Sequence, residues 1–241
     1  MKNIWIIAKR EFQTFFDSLV AYILLFAFLG LTGFLTWFFG NDIFLVKQAD
    51  LGAFFDFAYL LFIFFIPAIT MRMIAEEKKA GTLEVLVTRA ISDWEIVAGK
   101  YLACLLLVGT SLLFTLPYYF TVAWLGPMDH GATIMGYFGL LLLSSAYIGI
   151  GLFASSITNN QIVAFLLALL IGFVFAFIFD FSASLFPGGV GNFLDYLSFN
   201  THFNSISRGV IDSRDLIFFL TLTALGLLLT ERQLAQRNVI D

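Results

Sequence analysis

Residues 72–100 of the chain read RMIAEEKKAGTLEVLVTRAISDWEIVAGK. This stretch contains ten charged side chains, whereas the whole chain has 13 basic and 17 acidic residues. Long apolar runs lie on both sides of it. The pattern predicts a hydrated loop held close to a bilayer surface between two membrane-spanning segments. Such a loop is a natural docking surface for another protein.

The composition of the chain is that of a membrane protein. Of its 241 residues, 60% are hydrophobic and 12% are charged, whereas soluble domains average about 45–50% apolar and about 25% charged residues. A soluble fold could not cover this much apolar surface, so we predict a multispanning membrane protein. The net charge of −4 gives no indication of nucleic-acid binding. Cys104 is the only cysteine and is expected to be a small buried side chain.

Six apolar segments are candidates for transmembrane helices, which need about 20 residues each. They are roughly Leu19–Phe39, Phe57–Ile74, Ile96–Trp124, Thr133–Ala154, Gln161–Phe179 and Leu216–Thr230. The last segment is short, and we expect it to extend back through Val210 and Ile211. No cleavable signal peptide is expected, because the first apolar run is too long. The prediction is an all-α integral membrane fold with six transmembrane helices in one domain, residues 1–241.

The distribution of basic residues predicts the orientation of this domain. If both termini lie inside, the inner segments contain ten basic residues and the outer segments contain three. The inner ones are Lys2, Lys9, Arg10, Arg72, Lys78, Lys79, Arg89, Lys100, Arg232 and Arg237, and the outer ones are Lys47, Arg208 and Arg214. Inner loops of membrane proteins are enriched in Lys and Arg. We therefore expect the termini and the 72–100 loop to be cytoplasmic.

Residues 1–18 are predicted to form a separate amphipathic helix. One face would present Trp5, Ala8, Phe12, Phe15, Phe16 and Leu19, and the other Lys2, Lys9, Gln13 and Asp17. A helix of this kind lies in the membrane interface with its apolar face towards lipid. The alternative is an early start of the first transmembrane helix.

Local sequence signals divide the polar loop into short elements. Gly81 follows Lys78 and Lys79, which is typical of a helix C-terminus. Thr82 is then able to cap a short helix, Leu83–Thr88, and Ser92-Asp93-Trp94-Glu95 resembles a capping box. A two-turn helix is too short to be stable alone, which favours docking on another protein. The alternative is that it packs on the inner ends of its own transmembrane helices.

This loop resembles the cytoplasmic signature of ABC-2-type permeases, the membrane subunits of one class of ABC transporters (type V exporter-like). The matching residues are Glu77, Lys78, Gly81 to Glu84, Leu86, Thr88, Ile91-Ser92, Ile96-Val97 and Gly99-Lys100. Ala90 stands where the family usually has Pro. The resemblance implies that a coupling helix here enters a cleft of a separate ATPase. It assigns that contact to Glu77, Gly81, Thr82, Leu83, Glu84, Val85, Leu86 and Thr88.

Two further stretches resemble one branch of this family, the gliding-motility-associated GldF-like permeases, which are close to NosY-like permeases. They are residues 67–72, PAITMR, and residues 198–203, SFNTHF. The resemblance implies a bacterial inner membrane location and a dimer with a second permease subunit, identical or different, which could have a large outer domain. It also implies that the outer loop at residues 180–214 gates the pathway through Phe193, Leu197, Phe199 and Phe203. The alternative is an outer cap without a gating role.

The chain lacks the motifs that would let it work alone. No G-x-x-x-x-G-K-[ST] run occurs, since Gly99-Lys100 has Trp94 at the first Gly position and Tyr101 after the Lys. The predicted spans contain almost no ionisable side chains for ion-driven transport. His130 and His202 lie in separate outer loops without a nucleophile or metal-ligand cluster beside them. We therefore predict no catalytic, cofactor or metal site, and a partner ATPase that binds ATP and Mg²⁺. The remaining alternatives are a membrane anchor that recruits a cytoplasmic ATPase and a secondary carrier.

Overall fold

The computed structural model describes residues 2–38, 49–81, 92–186 and 188–236. Within these ranges all regular secondary structure is helical, and six helices are long and apolar enough to cross a membrane. The predicted all-α fold with six transmembrane helices is therefore confirmed.

The helices follow one another along the chain without strands among the described residues. They are α1 Lys2–Asp17, α2 Leu19–Phe38, α3 Gly52–Thr70, α4 Ala75–Ala80, α5 Asp93–Leu113, α6 Leu116–Leu125, α7 His130–Ile157, α8 Gln161–Phe173, α9 Phe179–Leu185, α10 Gly189–Tyr196, α11 Phe199–Ser207 and α12 Ser213–Ala235. A π-helical turn, Val174–Ile178, joins α8 to α9. The six spans in order are α2, α3 with α4, α5 with α6, α7, α8 with α9, and α12.

The sixth span is longer than the sequence suggested, but it does not extend back through Val210 and Ile211. It begins at Ser213 because Asp212 is its N-cap, whose side chain accepts a hydrogen bond from the Arg214 amide at 3.0 Å. That part of the prediction is wrong. The extra length lies mainly at the other end, where the helix continues to Ala235.

The fourth span, α7, is the central helix of the bundle. It packs against the second, third, fifth and sixth spans and against α11. Glycines permit the closest of these contacts: a Cβ atom on Gly226 would lie 2.5 Å from the backbone of Gly149, and one on Gly151 would lie 2.1 Å from Thr70 Oγ1. Small residues allow helix backbones to approach closely in membranes. The core therefore depends on glycine at these crossings.

A chain of hydroxyl groups also links three of the spans. Tyr101 Oη lies 2.6 Å from Ser145 Oγ, which lies 2.9 Å from Thr223 Oγ1. These residues belong to the third, fourth and sixth spans. In contrast, the first and fifth spans bury the smallest shares of their surface within the chain. Their exposed sides are available to lipid or to another subunit.

Candidate coupling site at the inner ends of the helices

The first boundary of the polar loop lies at Gly81. Gly81 has φ 68°, a left-handed conformation, and its amide donates to the carbonyls of Glu77 and Lys78 at the end of α4. Glycine adopts this conformation without a steric penalty, which is why it terminates helices so often. The predicted helix end at Gly81 is confirmed.

The second boundary is the start of α5. The Glu95 amide donates to Ser92 Oγ at 3.2 Å, and the Ser92 amide donates to the Glu95 carboxylate at 3.3 Å. This reciprocal pair is the capping box that the sequence predicted. Residues 82–91 lie outside the described part of the chain, including the predicted contact residues Thr82, Leu83, Glu84, Val85, Leu86 and Thr88. The short helix Leu83–Thr88 therefore stays a prediction.

A buried lysine joins the base of this loop to two other elements. Lys100 lies two turns inside α5, and its side chain is 1% exposed. Its Nζ lies 2.7 Å from Glu77 Oε1 on α4 and 3.4 Å from Glu11 Oε1 on α1. Lysine is almost never fully buried unless it is paired with a carboxylate. The three charges therefore connect α1, α4 and α5, which sequence patterns alone did not reveal.

Electrostatics at this junction favour the charged form of Glu11. Burial raises the pKa of the Glu11 carboxyl, but the positive charges of Lys100 and Arg10 and their hydrogen bonds more than offset this, so its pKa is lowered. Arg10 is half exposed and lies 2.5 Å from Glu11. Glu11 is therefore held ionised between two cations.

Helix α1 packs directly on α5. A Cβ atom on Gly99 would lie 2.7 Å from Ile7 Cβ and 3.2 Å from the Ile4 carbonyl oxygen, so the glycine permits the contact. At the start of the same crossing, Asn3 Nδ2 donates to the Glu95 carboxylate at 3.1 Å. The second helix, α2, begins only at Leu19. The chain therefore has a separate N-terminal helix, as predicted.

The face of α1 that packs on the protein overlaps the predicted apolar face at Ala8 and Phe15 but also includes Ile7, which was not predicted to belong to it. Its buried residues are Ile7, Ala8 and Phe15, whereas Trp5 is 57% exposed. Ile7 faces the protein because it packs against Gly99 of α5. Trp5 and the half-buried Phe12 and Phe16 form a second apolar stripe beside it, which suits contact with lipid. Its position in the membrane interface stays a prediction.

The fourth span provides a second anchor for the loop base. The amides of Ile74 and Ala75 donate to Ser155 Oγ at 3.1 and 3.0 Å, and Ser155 Oγ lies 3.0 Å from the Met71 carbonyl oxygen, to which it donates. Lys78 Nζ also donates to the Ser156 carbonyl. The turn that leads into the polar loop is therefore hydrogen-bonded to the central helix of the bundle.

On the side predicted to be the outer one, the four predicted gate residues occupy different environments. Phe199 is buried, with ring centroids 4.9 Å from Tyr147 and 5.1 Å from Phe175. Phe203 is also buried and stacks on Tyr59 at 5.3 Å. Leu197 is half-buried, and Phe193 is 62% exposed. Phe199 and Phe203 thus belong to the hydrophobic core, whereas Phe193 lies outside it. The gating role of all four residues stays a prediction.

A buried histidine–carboxylate pair lies in the same region. His202 Nδ1 on α11 lies 2.6 Å from Asp215 Oδ1 in the first turn of α12, and His202 Nε2 lies 2.8 Å from the Tyr196 carbonyl oxygen. The imidazole also stacks on Phe218 with centroids 4.0 Å apart. His202 is thus paired with a carboxylate, a partner that its position in an outer loop did not indicate.

Comparison with known proteins gives one result for nearly the whole chain. The family model described as ABC-2 family transporter protein matches residues 5–230, from within α1 to within α12. This range includes the polar loop and the outer helices. Among the curated proteins, none matches the chain.

Proposed function

Because the chain belongs to the ABC-2 transporter family and is a permease component of an ABC transporter, we propose that a separate ATPase subunit drives it to export a substrate or to do mechanical work across the membrane. In this proposal, residues 82–91 form the coupling segment that enters a cleft of that ATPase. Glu77 and Gly81 lie at the base of the segment.

The observation that best supports coupling is the position of Lys100. Its ion pairs join α1 and α4 to the third span, and Ser155 joins the same loop base to the fourth span. A displacement of the loop base would therefore be transmitted to the third and fourth spans through these contacts. An ATPase that changes shape with its bound nucleotide would then favour one of two arrangements of the spans.

The proposal includes a dimer. The fifth span has the smallest buried share of the six and presents an apolar surface, which a second permease subunit could cover. That subunit is either an identical copy or, if the chain belongs to the GldF-like branch, a different permease with a large outer domain. The proposal also includes a bacterial inner membrane location, as the resemblance to that branch implies, with both termini in the cytoplasm, which the distribution of basic residues favours.

Reconstitution with the ATPase tests this proposal. The permease is purified from its own cells, the P-loop ATPase that accompanies it is identified, and ATP hydrolysis by the complex is measured in nanodiscs. We expect Leu83→Asp with Leu86→Asp to abolish the effect of the permease on ATP hydrolysis, because a charged residue would not enter an apolar cleft. Lys9→Ala, on the exposed face of α1, is the matched control.

The outcomes separate the candidate functions. Loss of binding and stimulation in the double variant supports coupling. If the permease recruits an ATPase but candidate cargo does not change the rate of ATP hydrolysis, the chain is a membrane anchor rather than a transporter subunit. Uptake by the permease alone along an ion gradient indicates the secondary carrier and contradicts the proposal.

A further inference from the structure

A cavity lies at the outer end of the fifth span, where α9 meets α10. Its volume is about 950 Å³, which is within the range of about 300–1,000 Å³ that small-molecule sites usually occupy. Four aromatic rings contribute to its wall, those of Phe173, Phe177, Phe181 and Phe186, and two carboxylates line it, those of Asp180 and Asp195. It is thus an aromatic cavity with negative charge.

Two adjacent residues of α11 hold these carboxylates in place. Asn200 Nδ2 donates to Asp180 Oδ2 at 3.4 Å, and Thr201 Oγ1 donates to Asp195 Oδ1 at 2.7 Å. Both donors are neutral, so they orient the carboxylates without compensating their charge. No Lys, Arg or His is among the described residues that line the cavity. No basic side chain among these lining residues therefore compensates the two carboxylates.

The wall of the cavity depends on one close backbone contact. A Cβ atom on Gly191 would lie 2.0 Å from the Phe186 carbonyl oxygen, so only glycine lets α10 pack against the end of α9 here. Gly188, which precedes α10, has φ 82° and permits the sharp turn. The backbone at both glycines therefore shapes the cavity.

We propose that this cavity binds an amphipathic organic cation, an amine or quaternary ammonium compound with an apolar body. The positive group would lie at Asp180 and Asp195, where a charge-assisted contact is strongest. The apolar body would lie along Phe181, Phe177 and Phe173. Because Phe173 precedes Asp180 by seven residues, this wall extends about 10 Å along the helix axis. The aromatic faces attract a cation as well.

Charge also decides between a free cation and a lipid headgroup. A zwitterionic headgroup would bring a phosphate beside two carboxylates, and that repulsion would offset the attraction of its amine. An anionic amphiphile would be excluded for the same reason. The occupant is therefore a free cationic compound. That this compound is a transported cargo rests on the proposed function, whereas the binding itself does not.

Protection of a cysteine in the cavity measures binding at this site directly. Ser184 lines the cavity and is exposed, so Ser184→Cys provides a thiol there. Cys104 is buried and is replaced by alanine to leave a single thiol. The full chain is placed in nanodiscs of neutral lipid, and the rate of maleimide labelling is measured with octyltrimethylammonium, octanesulfonate or octyl glucoside.

We expect only the cation to slow labelling, in a saturable manner. Asp180→Asn with Asp195→Asn should raise its apparent Kd about tenfold or more, which corresponds to about 1.4 kcal/mol, because both negative charges that attract the quaternary ammonium are removed. Asn192→Lys should have the same effect by placing a positive charge in the cavity while both carboxylates remain. Asp129→Asn, at the outer N-cap of α7, is the matched control and should leave the Kd unchanged.

Three results would overturn the inference. Equal protection by all three amphiphiles would mean that the cavity only accepts apolar chains, and no protection would mean that nothing binds. Protection by the cation that survives both the double variant and Asn192→Lys would remove the role of charge. ATP hydrolysis by the complex is measured separately, so a negative binding result leaves the proposed function standing.

Discussion

Lys100 Nζ lies 2.7 Å from Glu77 Oε1, so the third span is joined by an ion pair to α4, the helix that precedes the proposed coupling segment. Glu11 contributes a second carboxylate to the same lysine from α1. One buried cation thus connects the N-terminal helix, the loop base and a transmembrane helix. This junction is the physical basis for the proposal that force on the loop reaches the spans.

Removal of the lysine charge should weaken the junction strongly. Lys100→Met would leave the carboxylates of Glu77 and Glu11 close together with only the half-exposed Arg10 as a cation beside them. Breaking a buried pair from one side costs about 3–5 kcal/mol, and we expect a loss of that order in the free energy of unfolding, measured by denaturant titration in mixed micelles. Lys79→Met, on the exposed side of α4, should cost little.

A second substitution separates charge from packing at the junction. Lys100→Met combined with Glu77→Gln and Glu11→Gln should recover part of the lost stability, because the two carboxylates no longer repel each other and the remaining charge, on Arg10, is half exposed to solvent. Equal stability of Lys100→Met and the unsubstituted protein would show that the ion pairs contribute nothing.

The docking of α1 should depend on pH through Glu11. The pKa of Glu11 is lowered in the folded protein, so its contribution to stability is fully present above the usual glutamate pKa. That contribution is lost as the pH falls through the lowered pKa. Hydrogen exchange of residues 2–17 should therefore accelerate as the pH is lowered from about 6 to about 3, after correction for intrinsic rates. Glu11→Gln should remove the part of the dependence that belongs to this residue, and an unchanged profile in this variant would contradict the assignment.

A side chain at Gly99 should displace α1. Gly99→Ala places a Cβ atom 2.7 Å from Ile7 Cβ, and overpacking of this kind costs about 1–3 kcal/mol. We expect faster hydrogen exchange in α1 while the transmembrane helices stay protected. Gly109→Ala is the control, since no atom lies within 4 Å of that position. Similar exchange in both variants would show that the α1 crossing is not tight.

The outer pair His202 and Asp215 should couple energetically. Both side chains are buried, and Asp215 is the carboxylate partner of the imidazole. In a double-mutant cycle with His202→Ala and Asp215→Ala, we expect a coupling free energy of about 1–3 kcal/mol. The reason is that either single substitution already breaks the interaction, so the second substitution does not lose it again. Additive effects would show that the two residues do not interact.

The sequence predicted the features that depend on local chemistry. The apolar runs predicted the six spans, Gly81 predicted the end of α4, and Ser92 with Glu95 predicted the capping box. Each of these signals lies within a few residues of the structure that it specifies. The family resemblance likewise rested on local motifs, and residues 5–230 match the ABC-2 family.

The features that the sequence did not predict join residues that lie in different helices. Lys100 and Glu11 are 89 residues apart, and no helical periodicity relates them. His202 and Asp215 belong to different helices, so no local pattern indicated that the carboxylate is the partner of the histidine. The packing face of α1 depends on Gly99 in another helix, which amphipathicity within α1 cannot show. Each of these features is therefore determined by tertiary contacts, which local sequence patterns do not reveal.

The most direct test of the central claim is photo-crosslinking from the coupling segment in the assembled transporter. A photoreactive phenylalanine analogue is placed at Leu86, with a second at Trp124 as the control, because Trp124 is 91% exposed and lies at the end of the third span away from the polar loop. We predict that position 86 crosslinks to a P-loop ATPase and that position 124 does not. A crosslink from position 86 to the inner helix ends of its own chain, with no ATPase attached, would contradict the account.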